Sequence, residues 1–199
     1  MRLLFLLLFI SLRAEAYIQT AVKVRKVYPD GSSEVLVTVY RYGLDSLGHQ
    51  GFFDLHGHSE AVPDTFVQRL TRALERIENG GPEGRALLAY LDSVPRRTLV
   101  AYSHANEADV EGGQYVRWDP EDTLGAPELG GGIYRPAFIG LAHELAHIRD
   151  VWQGTVNRST WRNLPAGDGQ WIQVSCAELY ATHVENKIRA ENGLPLRLS

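Results

Sequence analysis

The stretch PAFIGLAHELAHIRDVWQG, residues 136–154, constrains the fold more than any other part of the chain. Phe138, Ile139, Leu141, Leu145, Ala146 and Ile148 recur at helical spacing, Pro136 suits a first turn and Gly154 a stop, so an amphipathic helix over about 136–152 is expected. His143 and His147 are four apart, one turn above each other on one face, where both can aim an imidazole nitrogen at a single ion. Glu144 is next to the first of them, within reach of a water on that ion. Zinc held by such ligands lowers the pKa of the water and polarises a carbonyl, and a carboxylate beside it can take a proton and pass it to a leaving amine. The pattern His-Glu-x-x-His is therefore what zinc-assisted amide hydrolysis requires, with His143 and His147 as ligands and Glu144 as general base. The bland alternative is a pair of satisfied histidines on a core helix.

A third ligand is needed. The metzincin layout would continue with Gly and His three and six residues after His147, but Asp150 and Gln153 stand there, which excludes that subclass. In the other, gluzincin-like layout a Glu from a later helix completes the site. Glu178 and Glu185 are seven residues apart and so share a face, with Arg189 one turn beyond. Glu178 is the preferred third ligand and Glu185 the alternative, the other carboxylate orienting a ligand or pairing with Arg189. Tyr180 and His183 are candidate accessory donors to a developing oxyanion, and Asp150 could accept a ring N–H from a ligating His or form an exposed ion pair. Two competing arrangements are weaker. DLHGHSE, residues 54–60, could hold a metal in an extended loop, and Cys176 could pair with His183 or His143 as a thiol nucleophile, although a lone Cys there is more often a small core residue.

The single cysteine rules out an intrachain disulfide and a structural zinc site built on several thiolates. At 199 residues the chain suits one catalytic-sized domain, and a net charge of −4 without basic runs argues against nucleic acid as a partner. Residues 1–16 read as a secretory signal peptide: Arg2, an apolar run from Leu3 to Ile10, then Ala14-Glu15-Ala16. Cleavage there would leave no membrane anchor and place the protein outside the cell or in the periplasm. Residues 17–62 hold a β-hairpin around Pro29-Asp30-Gly31, with Val35, Val37 and Val39 on one face, followed by a loop over 43–63. Residues 63–199 form the main domain. In it, Asp64 caps a helix running to about Asn79, a shorter helix covers 83–91, and RTLVAY is a strand. Residues 104–136 are a long loop with GQYVRW as its strand-like island, 154–169 are largely polar, and a last helix spans 174–192.

The C-terminal two-thirds, roughly residues 63–197, resembles the NleD-type effector zinc metallopeptidase family, zincins found among type III secreted effectors and as domains of secreted toxin-like proteins. The resemblance is carried by ALERIENGGPEGRALLAYL, LAHELAHIRD and above all AELYATHVENKIRAENGLPLR. It implies His143 and His147 as zinc ligands and Glu144 as catalytic base. The expected fold is an α+β zincin-like domain with a small mixed or antiparallel sheet and an active-site helix. The expected function is Zn2+-dependent endopeptidase cleavage of a protein target by a secreted effector or toxin-like protein, with an inhibitor or immunity protein as a further partner. An extended substrate would add to the strand in GQYVRW or a neighbouring edge. The rival reading is a secreted interaction domain on the same scaffold with zinc structural or absent; hydrolysis of a non-peptide amide, such as a cell-wall crosslink, would use the same residues.

Overall fold

The computed structural model describes residues 18–45, 47–54, 56–58, 65–124, 134–165 and 169–197. The signal-peptide segment and the Asp64 cap lie outside them. Three strands open the fold: β1 (Ile18–Val27), β2 (Ser33–Leu44) and β3 (Gln50–Phe53). β1 and β2 form a long antiparallel hairpin whose turn is closed by Tyr28 N–H to Ser32 O (2.9 Å) and Gly31 N–H to Tyr28 O (3.0 Å). Its base is anchored by buried Ile18, Thr20 and Tyr42, while Val24, Val35 and Val37 farther out are exposed. β3 falls inside the segment expected to be loop; only four residues long, with Phe52 buried against Tyr42, it is too short for a period of two to stand out.

Helices α1 (Thr65–Gly80) and α2 (Pro82–Ser93) follow, then β4 (Thr98–Tyr102), β5 (Glu107–Ala108) and β6 (Tyr115–Trp118). α1 buries Val67, Leu70, Ala73, Leu74 and Ile77, the apolar stripe expected of it, and leaves its arginines in solvent. α2 has no side chain of its own at its cap; Glu191, from the far end of the chain, accepts the Glu83 and Gly84 N–H groups (2.6 and 3.3 Å). The six strands form one mixed sheet in the order β3-β2-β1-β4-β6-β5, in which β1–β4 and β4–β6 are parallel. β6, the strand in GQYVRW, is therefore paired on both sides, and the edge belongs to β5. That corrects the expectation for β6: an interior strand has no free backbone to offer an extended ligand.

The remaining elements are α3 (Ala137–Gln153), the hairpin of β7 (Thr160–Pro165) and β8 (Trp171–Ser175), and α4 (Cys176–Glu191). α3 ends where expected, at Gly154 in a left-handed conformation (φ 71°) that glycine, lacking a Cβ, adopts without strain. It is not amphipathic: Phe138 through Ile148, Asp150 and Trp152 are all buried, so the helix runs through the core between the sheet, α1, α2 and α4. The polar stretch 154–169 contains β7, β8 follows it, and Val174 belongs to β8, so α4 starts at Cys176. These two strands pair with each other alone and are largely exposed, so no buried face imposed an apolar alternation on their sequence. The long loop before α3 is pinned by a Leu124–Tyr134 bridge and by Trp118, whose indole N–H donates to Ala137 O (2.9 Å). Among the described residues no helix is long and apolar enough to cross a membrane.

Candidate metal centre

α3 and α4 pack side by side, and the facing turns carry the ionisable residues. Ser175 caps α4 by accepting the Glu178 N–H (3.3 Å), which fixes Glu178 in the first turn, where the helix dipole favours a carboxylate. From there its side chain reaches across to α3. Oε2 lies 3.3 Å from His143 Nε2 and Oε1 lies 3.3 Å from His147 Nε2. The imidazoles stand nearly perpendicular, with centroids 4.9 Å apart. One ligand atom from each of His143, His147 and Glu178 falls within 4.8 Å of the others, and among the described residues no other group of His, Cys, Asp and Glu converges in this way. Two imidazoles and a carboxylate are ligands that zinc takes, so the donor set fits that ion in its chemistry.

Glu185 lies behind the cluster, fully buried, and is not one of the three converging groups. It is 2.9 Å from His143 Nδ1, receives Arg189 Nε–H at 2.7 Å and has Arg197 Nη1 at 3.5 Å. A carboxylate there holds the proton of a neutral His143 on Nδ1 and leaves Nε2 free to ligate. The two glutamates of one helix face thus stand at different places, Glu178 against both imidazoles and Glu185 against His143 Nδ1 and Arg189.

Burial opposes a charge on His143, but hydrogen bonds to Glu178 and Glu185 and the nearby Glu144 outweigh it and raise its pKa to about 9. The hydrogen bonds to His143 and His147 hold Glu178 well below the usual carboxylate range despite desolvation. Glu185 is also lowered: desolvation is the largest influence and works against ionisation, but His143 and Arg189 together overcome it. Glu144 goes the other way, raised by burial and by Glu178, with His143, His147 and Arg135 pulling it back. A carboxyl whose proton is held more tightly than usual, beside two ligands, is placed for general-base work.

These residues open onto a cleft of about 530 Å³, lined by His143, Glu144, His147 and Glu178 together with Asn106 to Ala108, Asp122, Arg135 and Arg197. Arg135 is buried, its guanidinium resting over Gly140, where a Cβ would come within 3.4 Å of its Cζ. Its Nη2 donates to Asp122 Oδ2 (2.7 Å), an oxygen that also accepts from Asn106 Nδ2 (2.7 Å). This Asn106–Asp122–Arg135 wall had no local signature in the sequence, apart from Arg135 standing immediately before the helix-starting Pro136.

The accessory candidates are elsewhere. Tyr180 lies behind the site, its hydroxyl accepting from Arg149 Nε (2.7 Å), and His183 is exposed; neither lines the cleft. Asp150 is buried and accepts from the Thr155 hydroxyl, neither orienting a histidine nor forming an exposed ion pair. In the 54–60 loop Asp54 accepts the N–H groups of His56 and His58 in an exposed turn, and Leu55, Ser59 and Glu60 lie outside the described residues. Cys176 is half-buried at the start of α4, with its Sγ 3.5 Å from the Ser159 hydroxyl and no imidazole partner.

The family model for peptidase M91, described as an effector protein, matches residues 56–199, from the loop before α1 to the end of the chain. No curated protein and no solved structure gives a match.

Proposed function

Since the chain belongs to the NleD-type effector peptidases, family M91, we propose that it is a zinc-dependent metalloendopeptidase that cuts a protein target as an exported effector or toxin-like protein. The observation that carries this reading is the convergence of His143, His147 and Glu178 in a cleft that also contains Glu144. Zinc bound there would supply Lewis-acid polarisation of a carbonyl and a water of lowered pKa. Glu144 takes the proton of the attacking water and returns it to the leaving amine; its raised affinity for a proton suits both halves of that transfer. Glu185 fixes the tautomer of His143, and Arg189 holds Glu185. Arg135 and Asn106 line the same cleft and carry the donors for a developing oxyanion, a role for which Tyr180 and His183, which do not line it, are not placed. The free edge of β5 beside the cleft supports endopeptidase action, because an extended polypeptide can add to it through main-chain hydrogen bonds. The zincin-like description of the domain and removal of residues 1–16 as a signal belong to the same proposal.

The test is metal analysis of the purified protein beside His147→Ala and Glu144→Ala, with cleavage of an unfolded protein followed in parallel. One zinc per chain, lost from the histidine variant and kept by the glutamate variant, with cleavage lost from both, is the expected result. Three equally folded proteins without stoichiometric zinc would overturn the reading in favour of an interaction domain.

A further inference from the structure

On the other side of the loop that carries Asp122 is a second, smaller concavity of about 210 Å³. Its floor is apolar, made of Trp118, Pro120 and Phe138, and its wall is a row of arginines on α1: Arg69, Arg72 and Arg76. These stand at i, i+3 and i+7, on one helix face and all exposed. Arg76 lies over the Phe138 ring (4.5 Å to the centroid), and Arg69 pairs with Glu121. Among the described residues no acidic side chain lines the concavity itself, in a chain whose net charge is −4. The charged side chains that line it, Arg69, Arg72 and Arg76, are thus all basic.

The shape narrows what can fit. From Arg69 to Arg76 is about 10 Å along the helix, the length of about three extended residues. One phosphate would meet one end of that row, and a flat membrane would not enter the concavity beside it. A polypeptide strand with carboxylates at alternate positions and an aliphatic side chain between them matches both features. The groove also adjoins the metal cleft. Phe138 in its floor precedes His143 by five residues of α3, about 7.5 Å, and the separating rim holds Glu121 and Asp122.

We propose that this groove docks an acidic–aliphatic segment of the polypeptide substrate, about three to five residues to one side of the bond that is cut. The link to a substrate rests on the peptidase reading; the docking does not. Glu121 occupies Arg69 in the free protein, so an acidic ligand competes with it for that guanidinium.

The experiment uses the full chain with Glu144→Gln to prevent turnover, and a fluorescein-labelled nonapeptide of alternating Glu and Leu, read by fluorescence anisotropy at low salt. The expected result is saturable, salt-sensitive binding that Arg72→Ala and Arg76→Ala each weaken about two- to fivefold. Glu121→Gln, which frees Arg69, tightens it by a similar factor; this gain cannot come from misfolding. Binding left unchanged by the arginine variants, equal binding of a Lys–Leu peptide, or arginine-dependent binding only to phosphatidylserine vesicles would each overturn the proposal. A protein that holds one zinc and cuts unfolded protein yet ignores the Glu–Leu peptide would sink the docking site and spare the peptidase reading. One that docks the peptide through these arginines without holding zinc would do the reverse.

Discussion

Glu185→Gln tests the inner half of the site with a change of one atom. Glu185 is completely buried and takes donors from His143 Nδ1 and Arg189 Nε, with Arg197 farther off at 3.5 Å. A glutamine has one carbonyl oxygen and one NH2 for those two directions. Arg189 is itself fully buried and permanently charged, so the oxygen must turn to it and the NH2 must face His143. The neutral imidazole then accepts on Nδ1 and carries its proton on Nε2, the nitrogen that faces Glu178 and His147. Ligation through Nε2 would require Nδ1–H to point at an amide N–H. The expected cost is about 10- to 100-fold in zinc affinity, or about 1.4–2.8 kcal/mol. Fold stability should also fall, by about 3 kcal/mol, because the Arg189 charge loses its buried counter-charge. Zinc affinity measured by competition with a chromogenic chelator, and urea unfolding of the metal-free protein, separate the two effects. A folded Glu185→Gln protein that binds zinc within twofold of wild type would refute the assignment of Glu185 as the residue that sets the His143 tautomer.

Other outcomes follow from the same geometry. Glu144→Gln should keep its zinc and lose about 10²- to 10⁴-fold in cleavage rate, measured on a substrate found with the wild-type protein. Because His143 in the metal-free protein holds its proton up to about pH 9, zinc binding at pH 7 should release about one proton from it; titration calorimetry in buffers of different ionisation enthalpy reads this directly, and no dependence on the buffer would contradict it. The raised His143 pKa also makes metal-free stability greatest below its ordinary value of 6.5 and lost as pH rises towards about 9, while the lowered Glu178 and Glu185 contribute stability above about pH 4.5 that is lost in acid; urea midpoints across this range should show a mildly acidic optimum. Glu191→Ala should cost about 1 kcal/mol in urea unfolding, by uncapping the Glu83 and Gly84 N–H groups of α2, and leave zinc affinity unchanged.

The sequence made α1 and α3 legible because their apolar residues recur at helical spacing, and a His pair four residues apart on a helix allows few geometries. The choice between Glu178 and Glu185 was less accessible. Both lie on one face of α4, and which of them meets the open side of the His pair depends on how α4 slides along α3, a tertiary fact without local trace. Tyr180 does not line the cleft for a local reason: two positions after Glu178 it has turned about 200° round the helix, towards Arg149. β3, β5, β7 and β8 were missed because they are short or exposed, and a strand that buries no face has no reason to alternate. Arg135 is coupled to Asp122 and Asn106, partners that only the folded loop brings beside it.

The burial of α3 on every side links the metal centre to the fold. His143, Glu144 and His147 are ionisable groups in the middle of a core helix, where unpaired charges would cost several kcal/mol each. In the metal-free protein Glu178 spans both imidazoles, and Glu185 with Arg189 closes the inner side, so the cluster is electrostatically satisfied before any ion arrives. The three groups that would hold an ion thus sit on two packed helices, and a cation would replace the contacts that Glu178 makes to the two imidazoles without ordering a loop. Such a site binds with little reorganisation, and its occupancy should register in stability. At free zinc about 1,000-fold above its dissociation constant, binding to the native state alone adds about 4 kcal/mol to unfolding. The same excess of zinc should add almost nothing to a folded His147→Ala protein. Equal stabilisation of the two would mean that the ion acts away from this cluster, and the coupling between α3, α4 and the metal would have to be abandoned.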